Sequence, residues 1–294
     1  MTSAYVPTAE FTDSQILVAD GDAADAANLN LGSKKALDRL AMLRAATDGL
    51  LVWNGRARVD SGGTDNGNFA VYCPPIEAVS LLDGTTWKAF TLGSETQLTS
   101  AATFGSGTLV ANTVYYVYAY VSAGALALQV STDAPGSDGI WKTSATGTHR
   151  YLFAFATDSS RVAIPMSRSS GGVYRYRISS VGVTPLAALS GGSATSFANV
   201  SLATLIPTTA RIATLYTVCT NSSTTAHGQA QYRTDGDTGG YIEQGVGVAD
   251  SSNDFRGVQV FDLEPASRVI EYRYNNSSGY AAITVSVYVL GWVE

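Results

Sequence analysis

The sequence predicts a mainly β protein, in which a short N-terminal helix is followed by two antiparallel β-sandwich or jelly-roll-like domains. Three observations support this fold class. From residue 50 onward, polar and apolar residues alternate in short runs that are rich in β-branched and aromatic side chains. Gly, Asp, Asn and Ser separate these runs, as they do in turns between strands. Only residues 33–47 combine strong helix formers with an absence of Gly and Pro.

Residues 1–50 are predicted to form an N-terminal attachment and oligomerisation segment that contains the helix at 33–47. Small or apolar residues recur here at intervals of four and three, as in a coiled-coil seam: Ala36, Leu40, Leu43, Thr47 and Leu50. The seam spans only about two heptads, whereas a coiled coil is recognised over three or four. It therefore fits two arrangements, self-association of several copies or a short amphipathic helix that packs on its own domain.

Residues 51–182 are predicted to form a middle β domain. Strand-like runs flank short turn sequences at 83–84, 122–124 and 158–160, so each pair of runs is expected to form a hairpin. The last run, 173–178, alternates Tyr with Arg. Because successive side chains of a strand point to opposite faces, one face of this strand should be aromatic and the other cationic.

Residues 183–294 are predicted to form a C-terminal β-sandwich domain. The stretch 183–192 contains a proline and a Ser-Gly-Gly sequence, and it is the predicted domain boundary. Seven strand-like runs follow it, at 196–205, 210–219, 228–233, 240–248, 255–261, 267–274 and 280–290. Many short strands separated by turns at intervals of about 12 residues are typical of sandwiches and jelly rolls.

The composition excludes several classes of protein. The 294 residues are 45% hydrophobic and only 14% charged, with 29 Gly, 31 Ser and 31 Thr. Such a chain can bury a core and is not of the disordered type. A net charge of −6 without clusters of Lys and Arg argues against nucleic-acid binding. No apolar run is long enough to cross a bilayer, so membrane insertion is not expected, and the two cysteines are predicted to be buried thiols.

Neither an enzyme nor a metal or cofactor site is expected. The two histidines cannot be matched to a nucleophile and an acid, and no hydrolase or phosphate-binding motif is present. Asp20, Asp22 and Asp25 have the wrong spacing for a calcium loop. Asp235 and Asp237 flank a glycine, and an aspartate in a turn usually bonds to the local backbone.

Tyrosine is the commonest aromatic residue, with 16 Tyr against 9 Phe and 4 Trp. Its ring is apolar and its hydroxyl polar, which suits interfaces and recognition surfaces. The candidate surface-recognition loops contain Tyr232, Asp235, Asp237, Tyr241 and Tyr280. These tyrosines can stack on sugar rings, or they can pack at an interface between subunits.

The middle of the chain resembles a hairpin module that is common in bacteriophage tail-fibre and other minor virion proteins. The resemblance rests on YYVYAY at 115–120, LALQVST at 126–132, GIWK at 139–142 and THRYL at 148–152. The chain departs from the family pattern at His149, where Arg is frequent, and at Phe153, where Gly is frequent. Weaker similarities lie at 28–30, before the helix, and at 289–292, so the similar parts cover about half of the chain.

The resemblance implies a non-enzymatic structural virion protein, an oligomeric and usually trimeric fibre or spike subunit assembled in the host cytoplasm. Its N-terminus would dock to tail, neck or head proteins of the phage, and its distal β domains would contact a host surface glycan or protein. The scarcity of charge fits strands that face other copies of the chain. The alternatives are a monomeric carbohydrate-binding module or surface lectin, and a depolymerase tailspike, although no regular stacking or acid cluster of a parallel β-helix is apparent.

Overall fold

The computed structural model describes residues 51–53, 56–60, 71–84, 86–98, 109–145, 148–169, 171–177, 186–246, 254–264 and 267–294. The predicted attachment segment, its helix at 33–47 and the seam residues Ala36, Leu40, Leu43, Thr47 and Leu50 lie outside the described residues. Within the described part the chain is mainly β, as predicted, and its sheets are antiparallel.

The strands follow one another closely along the chain. They are β1 (Leu51–Trp53), β2 (Ala57–Val59), β3 (Val71–Cys73), β4 (Ile76–Asp83), β5 (Thr86–Leu92), β6 (Thr96–Leu98), β7 (Val114–Ser122), β8 (Ala125–Ser131), β9 (Arg150–Ala156), β10 (Met166–Arg168), β11 (Val173–Tyr176), β12 (Ala187–Gly192), β13 (Ala198–Ser201), β14 (Ile212–Asn221), β15 (Gly228–Thr234), β16 (Ile242–Val246), β17 (Asp254–Asp262), β18 (Val269–Tyr274) and β19 (Ile283–Val293). A 3₁₀ turn at Thr143–Ala145 precedes β9.

Four sheets contain these strands. Two are three-stranded, in the orders β1-β4-β5 and β8-β7-β9, and one is four-stranded, in the order β13-β18-β15-β16. The large sheet has nine strands, in the order β17-β14-β19-β11-β10-β2-β3-β6, with β12 also paired to β19. All seven strands predicted after residue 195 are present, and their bounds overlap the predicted runs.

The large sheet extends across the predicted domain boundary. Strand β11 pairs with β19 in the register Val173↔Val293 and Tyr174↔Trp292, which joins residues from both predicted domains. Within the boundary stretch itself, Ala187–Gly192 forms β12 on the edge of β19. A domain boundary at 183–192 would therefore divide the strands of one continuous sheet between two domains.

The four-stranded sheet packs on the C-terminal strands of the large sheet. The Tyr232 hydroxyl on β15 lies 3.1 Å from the Cys219 thiol on β14. Thr217 of β14 donates a hydrogen bond of 2.7 Å to the side-chain carbonyl of Gln244 on β16. Alternate residues of β14 are buried along its whole length, so the inner faces of both sheets form one apolar layer.

The predicted turns and the Tyr-Arg strand are largely confirmed. Asp83 pairs with Thr86 around Gly84 (φ 64°), and Ser122 pairs with Ala125 in the second hairpin. At the third predicted turn, only a single bridge forms, between Thr157 and Ala163. In β11 the tyrosines at 174 and 176 are buried and the arginine between them is exposed.

Gly291 is required where β19 approaches β11. A Cβ at this position would lie 2.1 Å from the carbonyl oxygen of Tyr174, which is backbone and cannot rotate away. Gly291→Ala should therefore lower the free energy of unfolding by about 1–3 kcal/mol, measured by urea denaturation. The matched control is Gly245→Ala in β16, where a Cβ meets nothing within 4 Å. Equal losses of stability in the two variants would show that the close approach of β11 and β19 is unimportant.

Candidate functional site

The predicted recognition residues that are exposed lie at opposite ends of the four-stranded sheet. Tyr241 is 50% exposed and lies near the end of β15, together with the turn that contains Asp235 and Asp237. Tyr280 is 40% exposed and bridges His227, immediately before β15 begins. A seven-residue strand spans roughly 20 Å, so these residues do not form one loop surface. The exposure of the two tyrosines agrees with the prediction, while their binding role stays a prediction.

Tyr232 is not a surface-loop residue, and the prediction was wrong on this point. Its side chain is 0% exposed and contacts the Cys219 thiol between the two sheets. The physical reason is the alternation of β15, which places Tyr232 on the same inward face as Ala230. Burial raises the pKa of the tyrosine hydroxyl above its usual value and raises that of the thiol to about 11.

Asp237 stabilises its own turn, and Asp235 bonds to a distant segment. Gly236 between them has a φ of 75°, a left-handed conformation that suits glycine. The carboxylate of Asp237 accepts a hydrogen bond of 2.8 Å from the Gly239 amide, and that of Asp235 accepts one of 3.0 Å from the Ser267 hydroxyl. The Asp237 contact agrees with the turn interpretation, whereas the Asp235 contact joins the turn to a distant segment before β18. Neither contact gives support for a catalytic pair.

Tyr241 belongs to a cluster of aromatic rings and guanidinium groups, here called the aromatic–arginine cluster (Phe197, Arg233, Tyr241 and Arg273). The Cζ atoms of Arg233 and Arg273 lie 3.8 Å and 4.4 Å from the centroid of the Phe197 ring. Arg273 also lies 5.8 Å from the Tyr241 centroid, and the two rings are 6.3 Å apart. Contacts of this length are favourable cation–π interactions.

Strand pairing brings the cluster together on the outer face of the sheet. Tyr232 and Tyr272 point inward, so their neighbours Arg233 and Arg273 point outward on the adjacent strands β15 and β18. Asn199 of β13 pairs with Glu271, which places the preceding Phe197 beside Arg273. Residues that are far apart in sequence thus form one surface.

A polar network supports the two arginines. Arg233 forms an ion pair of 2.6 Å with Glu271. Arg273 donates a hydrogen bond of 2.7 Å to the side-chain carbonyl of Gln231, whose amide donates in turn to Glu243 at 3.0 Å. The network fixes the guanidinium groups below the Phe197 ring, with carboxylate and amide groups beside them. A fixed aromatic ring next to such polar groups can bind a sugar, whose ring carries both C–H faces and hydroxyls.

Sequence reasoning did not find Phe197, Arg233 or Arg273. They lie in three different strand regions and are joined only by the pairing of β13, β18 and β15. One signal was present in the sequence, since the Tyr-Arg-Tyr run at 272–274 repeats the run at 174–176. The arginine at the centre of each run points outward and places a positive charge on the outer face of its sheet.

A second polar cluster lies beside a groove of ≈ 840 Å³ between the 134–139 loop and residues 208–211. The Glu294 carboxylate accepts hydrogen bonds from Tyr151, from Tyr174 at 2.7 Å and from Thr209 at 2.5 Å. Burial, and next the negative charge of Glu294, raise the pKa of both tyrosines well above the usual value. The hydroxyls are therefore hydrogen-bond donors that tie together β9, β11 and the end of β19.

No protein-family model, no curated protein and no solved structure matches the chain. Among the described residues, no group of three or more His, Cys, Asp and Glu side chains is placed to hold a metal ion. Within the same residues, no helix has the length and apolar character needed to span a bilayer.

Proposed function

We propose that the protein is a non-enzymatic structural virion protein, an oligomeric fibre or spike subunit of a bacteriophage. The N-terminal segment would attach to tail, neck or head proteins, and three copies would assemble, as the resemblance implies. In this proposal the two packed C-terminal sheets form a β-sandwich domain whose outer surface contacts the host. The observation that carries the proposal is an apolar surface on the large sheet, described next.

The apolar face (Tyr216, Val218, Val258, Val260 and Tyr288) covers the outer side of β17, β14 and β19. Val258 and Val260 are 60% and 57% exposed, which is unusual for valines in a regular strand. Tyr216 lies opposite both Val258 and Tyr288 in register, and the two tyrosine rings are 6.2 Å apart. Three neighbouring strands thus present a continuous surface of apolar and aromatic groups.

Strand β17 also has an open edge. It lies at the end of the large sheet and pairs only with β14 among the described strands. An open edge nine residues long with exposed valines favours pairing with another chain.

A second copy of the chain is the occupant that fits this surface. The valines are flanked on the same face of β17 by Arg256 and Asp262, which carry opposite charges and are both exposed. Arg256 already forms an ion pair of 3.6 Å with Asp254 of the same strand. A second copy would supply apolar side chains for the valines and a cationic partner for Asp262. The low overall charge of the chain agrees with a surface that faces other copies.

Light scattering on the purified full chain tests the oligomer. We expect a stable species with the mass of three chains at micromolar concentration. A stable monomer under these conditions would contradict the proposal. Labelling of phage particles with an antibody against the chain, viewed by electron microscopy, tests the location in the virion, and unlabelled particles would contradict it.

The aromatic–arginine cluster favours a second function, that of a carbohydrate-binding module or surface lectin. If this function is correct, the chain should bind members of a glycan array, and Phe197→Ala should weaken binding by at least about tenfold because it removes the stacking ring. The matched control is Phe255→Ala, which removes a phenylalanine that is 49% exposed on the other sheet. Equal binding by all three proteins, or no binding by the unmodified chain, would reject this role for the cluster.

A further inference from the structure

A small cationic groove lies on the outer face of the large sheet, on the side of β19 away from the apolar face. It has a volume of ≈ 240 Å³ and is lined by Arg56, Ser167, Ser169, Val173 and Arg175. Two serines and two arginines thus line one depression. Neither the proposed fibre function nor the aromatic–arginine cluster uses these residues.

The alternation of three neighbouring strands directs these side chains outward. Ser167 of β10 lies between Arg58 of β2 and Arg175 of β11 in register. The next residues along, Met166 and Tyr174, are buried on the opposite face. The outer surface is therefore polar and cationic at the point where the inner surface is apolar.

Arginine is concentrated at this place in the fold. Five of the chain's 14 arginines fall at positions 56–58 and 168–177, although the net charge of the chain is −6. They are Arg56, Arg58, Arg168, Arg175 and Arg177. Strand pairing brings these two short segments side by side.

The available acids neutralise only part of this charge. Arg58 forms ion pairs with Asp60 and, at 2.8 Å, with Glu95, while Arg177 pairs with Asp60 at 3.2 Å. Arg168 turns inward and donates a hydrogen bond of 2.9 Å to the Tyr174 hydroxyl.

The two arginines of the groove differ from these three. Arg56 and Arg175 are exposed, and no ion pair or hydrogen bond within the described residues engages either guanidinium. Two positive charges therefore share a concave surface, and none of the described residues that line it is acidic. Like charges so placed repel each other, and a bound anion would relieve the repulsion.

We propose that the cationic groove binds the oxyanion group of an acidic ligand, a phosphate or a carboxylate. Each guanidinium offers a planar pair of N–H donors that matches either group, and the hydroxyls of Ser167 and Ser169 are further potential donors. The volume suits a single anionic substituent with part of the sugar or alcohol that carries it. The inference stands independently of the number of copies in the assembly.

Calorimetric titration of the full chain with inorganic phosphate and, separately, with galacturonate tests the site. We expect one anion per chain, and the tighter of the two probes identifies the source of the oxyanion. Arg56→Ala and Arg175→Ala should each weaken binding by about ten- to hundredfold, since each removes charged hydrogen bonds. Arg175→Lys, which keeps the charge but loses the planar fork, should show an intermediate loss.

Arg177→Ala is the matched control. It removes the same charge two residues away, just after the end of β11, but from an arginine already paired with Asp60. Binding by this variant should change by less than about twofold, because a paired surface charge contributes little. Equal weakening by the Arg175→Ala and Arg177→Ala variants would indicate a general cationic surface and overturn the proposal. Absence of binding of either probe at millimolar concentration would also overturn it.

Discussion

Replacing Val258 and Val260 together with aspartate should convert the assembled protein into monomers. Each copy would bring two carboxylates into the apolar face, where they would be desolvated and would meet like charges from the next copy. Both valines are more than half exposed in the single chain, so the substitution should leave the fold intact. Size-exclusion chromatography with light scattering would show the mass of one chain, and circular dichroism would show unchanged β structure.

The matched control is Asn199→Asp with Ser201→Asp. These residues are also exposed, are also two positions apart, and lie on β13, which is an edge strand of the four-stranded sheet. The control variant should assemble like the unmodified chain. If the Val258/Val260 variant also assembles normally, the apolar face is not an interface between copies, and the support it gives to the oligomer is lost.

The protein should unfold at alkaline pH, with a steep dependence on pH above about 10. Five tyrosines are buried, and burial raises the pKa of each hydroxyl above its usual value: Tyr118, Tyr151, Tyr174, Tyr176 and Tyr232. In the unfolded chain these hydroxyls ionise near pH 10, whereas the folded chain keeps their protons. Their contribution to stability is therefore complete below pH 10 and is lost as the pH rises above it.

The expected size of this effect is large. Each buried tyrosine can cost up to about 1.4 kcal/mol of stability per pH unit above 10, and the five together cost about 7 kcal/mol per unit. Because domains are stable by about 5–15 kcal/mol, we expect unfolding between about pH 11 and 12. Both cysteines are free and buried, as predicted. Burial raises the pKa of the Cys73 thiol to about 12, so this thiol also contributes to the loss of stability at alkaline pH.

Urea denaturation at a series of pH values, followed by circular dichroism, measures this dependence. Tyr232→Phe should make the decline of the unfolding free energy above pH 10 less steep, by about one fifth of the tyrosine contribution. Tyr241→Phe, which changes a half-exposed tyrosine, should leave the slope unaltered. A slope that is the same in both variants, or a stability that is constant from pH 9 to 12, would refute the explanation.

The positions of the strands could be predicted from the sequence because the signals are local. Alternation along 210–219 and 280–290 corresponds to β14 and β19, and the turn glycines at 84 and 124 adopt the positive φ that their hairpins need. Strand β12 was missed because its sequence, Ala-Ala-Leu-Ser-Gly-Gly, has small residues and little β propensity. It forms a strand because β19 offers it an edge.

The candidate site was predictable only in part. The exposure of Tyr241 could be inferred from its polar surroundings, and the inward direction of Tyr232 was present in the alternation with Ala230. The partners of Tyr241 in the aromatic–arginine cluster could not be inferred, because Phe197 and Arg273 meet only when β13 pairs with β18. Pairing between strands depends on contacts between distant segments, and a single sequence carries no direct signal for them.

The sequence by itself determined the mainly β fold class, the alternation of the strands and the places of the turns, because propensity, alternation and turn chemistry act over a few residues. It also determined the low content of charged residues. The tertiary structure decided which strands became neighbours. The pairing of β11 with β19 joins the two predicted domains in one sheet, and that of β2, β10 and β11 gathers dispersed arginines around the cationic groove. Both pairings form because they bury the inner apolar faces of the sheets, and that burial depends on contacts along the whole chain. The same pairings fix which side chains lie on the outer surfaces.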